Sequence, residues 1–150
     1  MSLTEKIAGD LINAMKSKDK VALDAIRAAK TAFLLARSEK GHDTVLNPEE
    51  ELKIIQKLVK QRRESAVIYK ENNRQDLYEK EAAEADVLEK YLPAKISDEE
   101  LTKVLKDIIE RVGAISPSEM GKVMGVATRE LAGRADGKEI STIVRQLLGG

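Results

Sequence analysis

Few residues here could do covalent chemistry. The chain has one histidine and no cysteine. A cysteine nucleophile, a thiolate zinc site and a disulfide framework are therefore out of reach. A histidine-rich metal site is excluded too. His42 sits beside Gly41 and Asp43, where it reads as a solvated turn residue. No nucleophilic triad can be assembled from what remains. The stretch Gly133-Arg134-Ala135-Asp136-Gly137-Lys138 superficially resembles a phosphate loop. The nucleotide-binding loop needs four residues between its glycines and Ser or Thr after the Lys. Here there are three, and Glu139 follows. We read no catalytic residue, no metal and no cofactor.

Basic residues offer binding chemistry instead. Lys53, Lys57 and Lys60 fall within about 60° of one helix face. Lys20, Arg27, Lys30 and Arg37 lie within about 100° on another. The plain reading is solvated faces, balanced by Glu49, Glu50, Glu51 and Glu64. The sharper one is contact with phosphate. Phe33, Tyr69, Tyr78 and Tyr91 are the only aromatic residues, too few for a base-stacking platform. Any nucleic acid would be read by backbone and shape. Gly121 and Gly125 stand four apart inside a helix, where each costs up to about 1 kcal/mol against Ala. Such a pair admits either a packed helix or a close ligand. Lys122, Arg129, Arg134 and Lys138, with Gly133 and Gly137, could gather beside the N-terminus of the last helix, which also attracts phosphate.

The elements that must position these residues are helical throughout. Hydrophobic content is 42%, charged content 35% and aromatic content 3%, which favours packed amphipathic helices over a sandwich or barrel. Ser2 and Glu5 form a capping box ahead of Leu3, Ile7, Leu11 and Ala14. Asp19 caps a second helix to about Glu39, with a stripe of Val21, Ala25, Ala28, Ala29, Ala32, Leu35 and Ala36. Asn47-Pro48 starts a third, through Ile55, Leu58, Val59, Ala66 and Tyr69, broken at Asn72-Asn73. A fourth covers about residues 76–92 and stops at Pro93. Ser97 caps a fifth that Gly113 ends. Ser116-Pro117 opens a sixth that Gly133 ends, and Asp136 caps a seventh. Only Thr44-Val45-Leu46 reads as β-like. The expectation is an all-α chain: a four-helix unit over residues 1–93, a joint at 93–97, and a small three-helix unit over 97–150. The smaller unit is near the lower limit for independent folding and should lean on the first or on a partner.

Periodicity also places one charge in the core. Arg62 lies about 20° from Ile55, inside the apolar arc of the third helix. A charge there should have a partner. A hairpin about residues 72–75 brings position 62 opposite Glu84, with Glu81 the alternative one turn nearer the loop. We expect a structural ion pair within hydrogen-bond reach.

No apolar run approaches the ~20 residues that span a membrane, and no signal-peptide core opens the chain. The reading is a soluble cytoplasmic protein with no membrane partner. Equal numbers of acidic and basic residues, 26 of each, give no global pull on nucleic acid.

Gly121-Lys122-Val123-Met124-Gly125, then Leu131-Ala132-Gly133-Arg134-Ala135-Asp136-Gly137-Lys138, then a helix bearing Val144 and Leu147, resembles the signature of the GatB/YqeY family. Tyr91-Leu92-Pro93 and the preceding Glu81 and Glu84 resemble that family's N-terminal half. The likeness covers essentially the whole chain. It implies two α-helical domains, and kinship with the C-terminal tail of the B subunit of the glutamine-dependent tRNA amidotransferase. That tail helps hold tRNA. It also implies association with a carbon–nitrogen ligase using glutamine as amido donor, although the residues show no autonomous active site. Three functions follow as expectations: a tRNA-binding or amidotransferase-related accessory protein, with a protein of translation as a further partner; a helical protein–protein interaction module; or an enzyme whose acids act without His, Cys or metal.

Overall fold

The computed structural model describes residues 1–41 and 44–149. His42 and Asp43, expected in a loop, lie outside the described residues. Among these, seven α-helices run in order: α1 (Leu3–Ser17), α2 (Lys20–Lys40), α3 (Pro48–Glu71), α4 (Gln75–Glu89), α5 (Asp98–Val112), α6 (Met120–Glu130) and α7 (Gly137–Leu147). The fold is all-α. It divides into two compact units, Met1–Leu92 and Pro93–Gly150.

Capping chemistry sets most helix starts. The side chains of Ser2, Asp19, Asn47, Ser97 and Asp136 each accept a backbone N–H from the first turn of the helix they precede. This satisfies donors that the helix itself leaves unpaired. At two turns a residue other than glycine adopts left-handed backbone. Lys18 ends α1 at φ 56° and Asn73 separates α3 from α4 at φ 58°. Asparagine adopts that region readily. Three boundaries depart from expectation. α4 stops at Glu89, and Tyr91 and Leu92 continue only as turns whose N–H groups donate to the Leu88 and Glu89 carbonyls. Pro117–Glu119 is a 3-10 turn before α6. Thr44–Leu46 forms no strand: Val45 is exposed and Leu46 joins the core.

In the first unit the core gathers Ile7, Ala25, Ile26, Ala29, Phe33, Leu46, Ile55, Ala85 and Leu88. The α2 face is rotated from the expected stripe. Ile26 and Phe33 are buried, whereas Leu35 is 61% exposed. α2 is apolar on nearly every side, so periodicity could not choose its inner face.

Two carboxylates, Glu51 and Glu84, are buried in this unit, with Arg62 half-buried beside Glu84. Glu51 is 1% exposed; its Oε2 accepts from Thr4 N at 2.7 Å and from Thr4 Oγ1 at 2.6 Å. It is thus not one of the solvated carboxylates expected to balance the lysines. It lies in the first turn of α3 and caps the first turn of α1, so two helix dipoles favour its charge. Arg62 Nε stands 3.8 Å from Glu84 Oε1. That is an ionic contact longer than a hydrogen bond, looser than the pair expected. Arg62 Nη1 donates to the Leu58 carbonyl at 3.4 Å, and Nε is buried without a hydrogen-bond partner. Glu81 is half-buried. Burial pushes the Glu84 carboxyl above its ordinary value, against the opposite pull of Arg62.

The second unit has its own core of Ile96, Leu101, Leu105, Ile108, Val123, Ala127, Leu131, Ile140, Val144 and Leu148. α5, α6 and α7 each contribute one face to it, and Ile96 joins them from the segment before α5.

Candidate functional site

α6 presents its glycines to solvent. Gly121 and Gly125 are exposed, and a Cβ at either would meet nothing within 4 Å. No helix of this unit uses the space they leave. Lys122 and Arg129 flank that face, at i and i+7 and about 20° apart around the helix. Both are exposed and form no ion pair among the described residues. The neighbouring Glu130 is committed elsewhere: Arg111 donates from Nη1 and Nη2 to its two oxygens at 2.9 and 2.8 Å. That fork holds the Glu130 carboxyl below the usual carboxylate range. Arg129 forms no ion pair with the adjoining Glu130, although its charge also helps to lower that carboxyl.

The corner between α6 and α7 is built differently from what the sequence led us to expect. Leu131 and Ala135 are buried, and the N–H groups of Arg134 and Ala135 donate to the Leu131 carbonyl. Gly133, buried at φ 79°, makes the reversal possible. The Arg134 side chain turns to the start of its own unit. Its Nε donates to the Ala94 carbonyl at 3.4 Å and its Nη2 lies 3.9 Å from Glu100 Oε2. Its carbonyl accepts from Ile96 N at 3.2 Å. The N-terminus of α7 is already occupied by a carboxylate: Glu139 N donates to Asp136 Oδ1 at 2.7 Å. Gly137 and Lys138 are exposed beside it, and Lys138 borders a cleft of about 460 Å³ that Asp98 and Glu139 also line. An anion there would meet two acids. Lys138 does share α7's outer face with Arg145, seven residues on, a cation that motif reading misses. The i, i+7 spacing from Lys138 could have revealed it.

The expected cluster thus separates. Gly121, Lys122, Gly125 and Arg129 share one open face, Lys138 looks out from α7, and Arg134 and Gly133 hold the turn. In the first unit, Lys53, Lys57 and Lys60 are exposed on α3, with Lys53 paired to Glu49 at 3.0 Å. Lys20, Arg27 and Lys30 are exposed on α2, and Arg37 donates from Nε to the Thr44 carbonyl at 3.2 Å. No group of three or more His, Asp or Glu among the described residues is placed to hold a metal ion. No helix there is long and apolar enough to cross a membrane.

Residues 4–148 match the family of Yqey-like proteins. The chain is 31% identical over 148 residues to the altered inheritance of mitochondria protein 41, mitochondrial, of Pyrenophora tritici-repentis, covering 96% of this chain and 80% of that protein. A 70-residue stretch is 34% identical to a glutamyl-tRNA(Gln) amidotransferase subunit of Thermococcus gammatolerans, covering 44% of this chain and 11% of that relative. With nearly its whole length matched, the chain belongs to the YqeY-like family.

Proposed function

We propose that the protein is a tRNA-binding, amidotransferase-related accessory protein, and that the α6 face of the second unit makes its first contact with RNA. The observation that carries this is the open face of Gly121 and Gly125 flanked by exposed Lys122 and Arg129, neither held in an ion pair among the described residues. Helix-interior glycines that pack against nothing cost stability. Their use is to let another backbone approach closely, and two free cations on the same face select a polyanion. The similarity of part of the chain to a tRNA-dependent amidotransferase component supports tRNA as that polyanion. The chemistry of such an enzyme would be supplied by its other parts, with this chain contributing grip. Cytoplasmic residence stays part of the proposal.

The test is tRNA binding across a salt series. The logarithm of affinity should fall linearly with the logarithm of salt, and Lys122→Ala with Arg129→Ala should flatten the slope by roughly two. Arg134→Ala should leave the slope unchanged, because that side chain faces its own unit. A slope unmoved by the α6 pair would overturn the assignment. The same open face would equally receive a partner helix, which is the second reading. A salt-insensitive protein complex without tRNA binding would establish it.

A further inference from the structure

α1 and α2 run antiparallel. Thr4 and Ile7 share a cavity with Phe33 and Arg37, and Ala14 and Ser17 share another with Ala22 and Ile26. One side of this pair packs into the core. The other leaves aliphatic side chains in water: Ile12 54%, Met15 54%, Leu34 53% and Leu35 61% exposed. Single exposed apolar residues are ordinary, and Leu35 points about 100° away from Leu34 around α2, but Ile12, Met15 and Leu34 lie on the α1–α2 side. Ala8 and Leu34 line the same cavity. Ile12 and Met15 follow Ala8 at i+4 and i+7, so they continue one line along α1 beside α2. Gly9 lies next to that line, and a Cβ there would meet nothing within 4 Å. The cavity holds about 140 Å³ between Ile7, Ala8, Phe33 and Leu34. That is room for one leucine or phenyl group, since a space of about 150 Å³ takes benzene.

On the α2 side of this face the charge is positive. Lys30 and Arg37 also line the cavity. Arg27 shares the exposed face of α2 with Lys30 and Leu34, all within about 60°. Neither Arg27 nor Lys30 forms an ion pair among the described residues. The exposed acid nearest the notch on α1, Glu5, accepts from Ser2 N in the capping box.

We propose that the α1–α2 face docks an acidic amphipathic helix of a partner protein, seating one apolar side chain in the notch and setting carboxylates over Arg27 and Lys30. Charge decides the occupant. A second copy placed face to face would oppose Arg27 and Lys30 to their own mates. RNA would neutralise the cations but leave the aliphatic side chains against phosphate and sugar.

The experiment uses the full chain and a fluorescent synthetic helix of about five turns, with leucines along one face and glutamates on both flanks. Its counterpart carries lysine for every glutamate. The acidic helix should bind and the basic one should not. Leu34→Asp or Ile12→Asp should weaken binding by about tenfold or more. Both positions are more than half exposed, so the variants should keep the helical circular dichroism of the parent. Arg27→Glu with Lys30→Glu should abolish binding of the acidic helix and confer binding of the basic one. Equal binding of both helices, binding of neither, or indifference to Leu34→Asp would overturn the proposal. So would self-association that Leu34→Asp abolishes, which would assign the face to a second copy. Loss of tRNA binding in the charge-reversed variant would assign it to RNA.

Discussion

The Arg62–Glu84 contact is loose in a way that makes a pH signature. Glu84 holds its proton more tightly in the folded protein than an ordinary glutamate does, because burial outweighs the attraction of Arg62. The folded state therefore binds more protons than the unfolded one between the ordinary value, about 4.3, and the raised value. Through this group stability falls as pH rises across that window and is level above it. Glu84→Gln should remove this component and leave the protein at least as stable at neutral pH. Arg62→Ala removes the opposing pull, so it should steepen the component. It should also cost about 2–3 kcal/mol at neutral pH, below the 3–5 kcal/mol of a fully hydrogen-bonded buried pair. Urea melts of the three proteins at pH 4.5 and 7.5 measure both. Arg62 is legible in the sequence because its angle on α3 follows from Ile55 and Val59. Glu51 lies on that same arc, at i−4 from Ile55, yet a run of three glutamates reads as solvent-facing. What buries it is Thr4, forty-seven positions away, and no local pattern contains that.

Among the helices, the α6 glycines separate stability from binding. Both have ordinary helical backbone and open space outside. Gly121→Ala with Gly125→Ala should therefore stabilise the second unit by about 0.5–1 kcal/mol per site. If the face admits RNA or a partner helix closely, the same change should weaken that complex. A melting temperature that rises while affinity falls marks the face as functional. Unchanged affinity would assign the glycines no role in contact. Helix starts are legible because capping is local chemistry: Asp19, Asn47 and Asp136 each announce a helix within three residues. Rotation is less so. α5 and α7 carry narrow apolar stripes that name their inner faces. On α2, alanines on several sides leave no preferred face, and Leu35 turns to solvent against the expected stripe.

At the scale of the chain, each unit has its own hydrophobic core. The sequence places the joint over residues 93–97, but Ile96 is 3% exposed and its N–H donates to the Arg134 carbonyl. The accessible stretch is thus Pro93, Ala94 and Lys95, all exposed. Limited digestion with a broad-specificity protease should nick residues 92–95 first and release two resistant fragments, identified by mass. First cuts inside α1 or α2 would show that the first unit is the weaker one. Proline at 93 points to the joint, but the anchoring of Ile96 depends on a turn some forty residues later.

Tyr91 ties the end of the first unit to its beginning. Its hydroxyl donates to Asp10 Oδ2 at 2.6 Å, and the Lys6 ammonium lies 5.5 Å from its ring centre. During synthesis, α1 leaves the ribosome early, yet its partners on α3 and at Tyr91 are made long afterwards. Until α3 emerges the helix has only its hairpin with α2, and Tyr91 comes last. The first unit can close only when its last residues have emerged, and the second, whose core begins at Ile96, starts to appear at that same moment. Completion of the larger unit's contacts thus waits for Tyr91, at the moment the smaller unit begins.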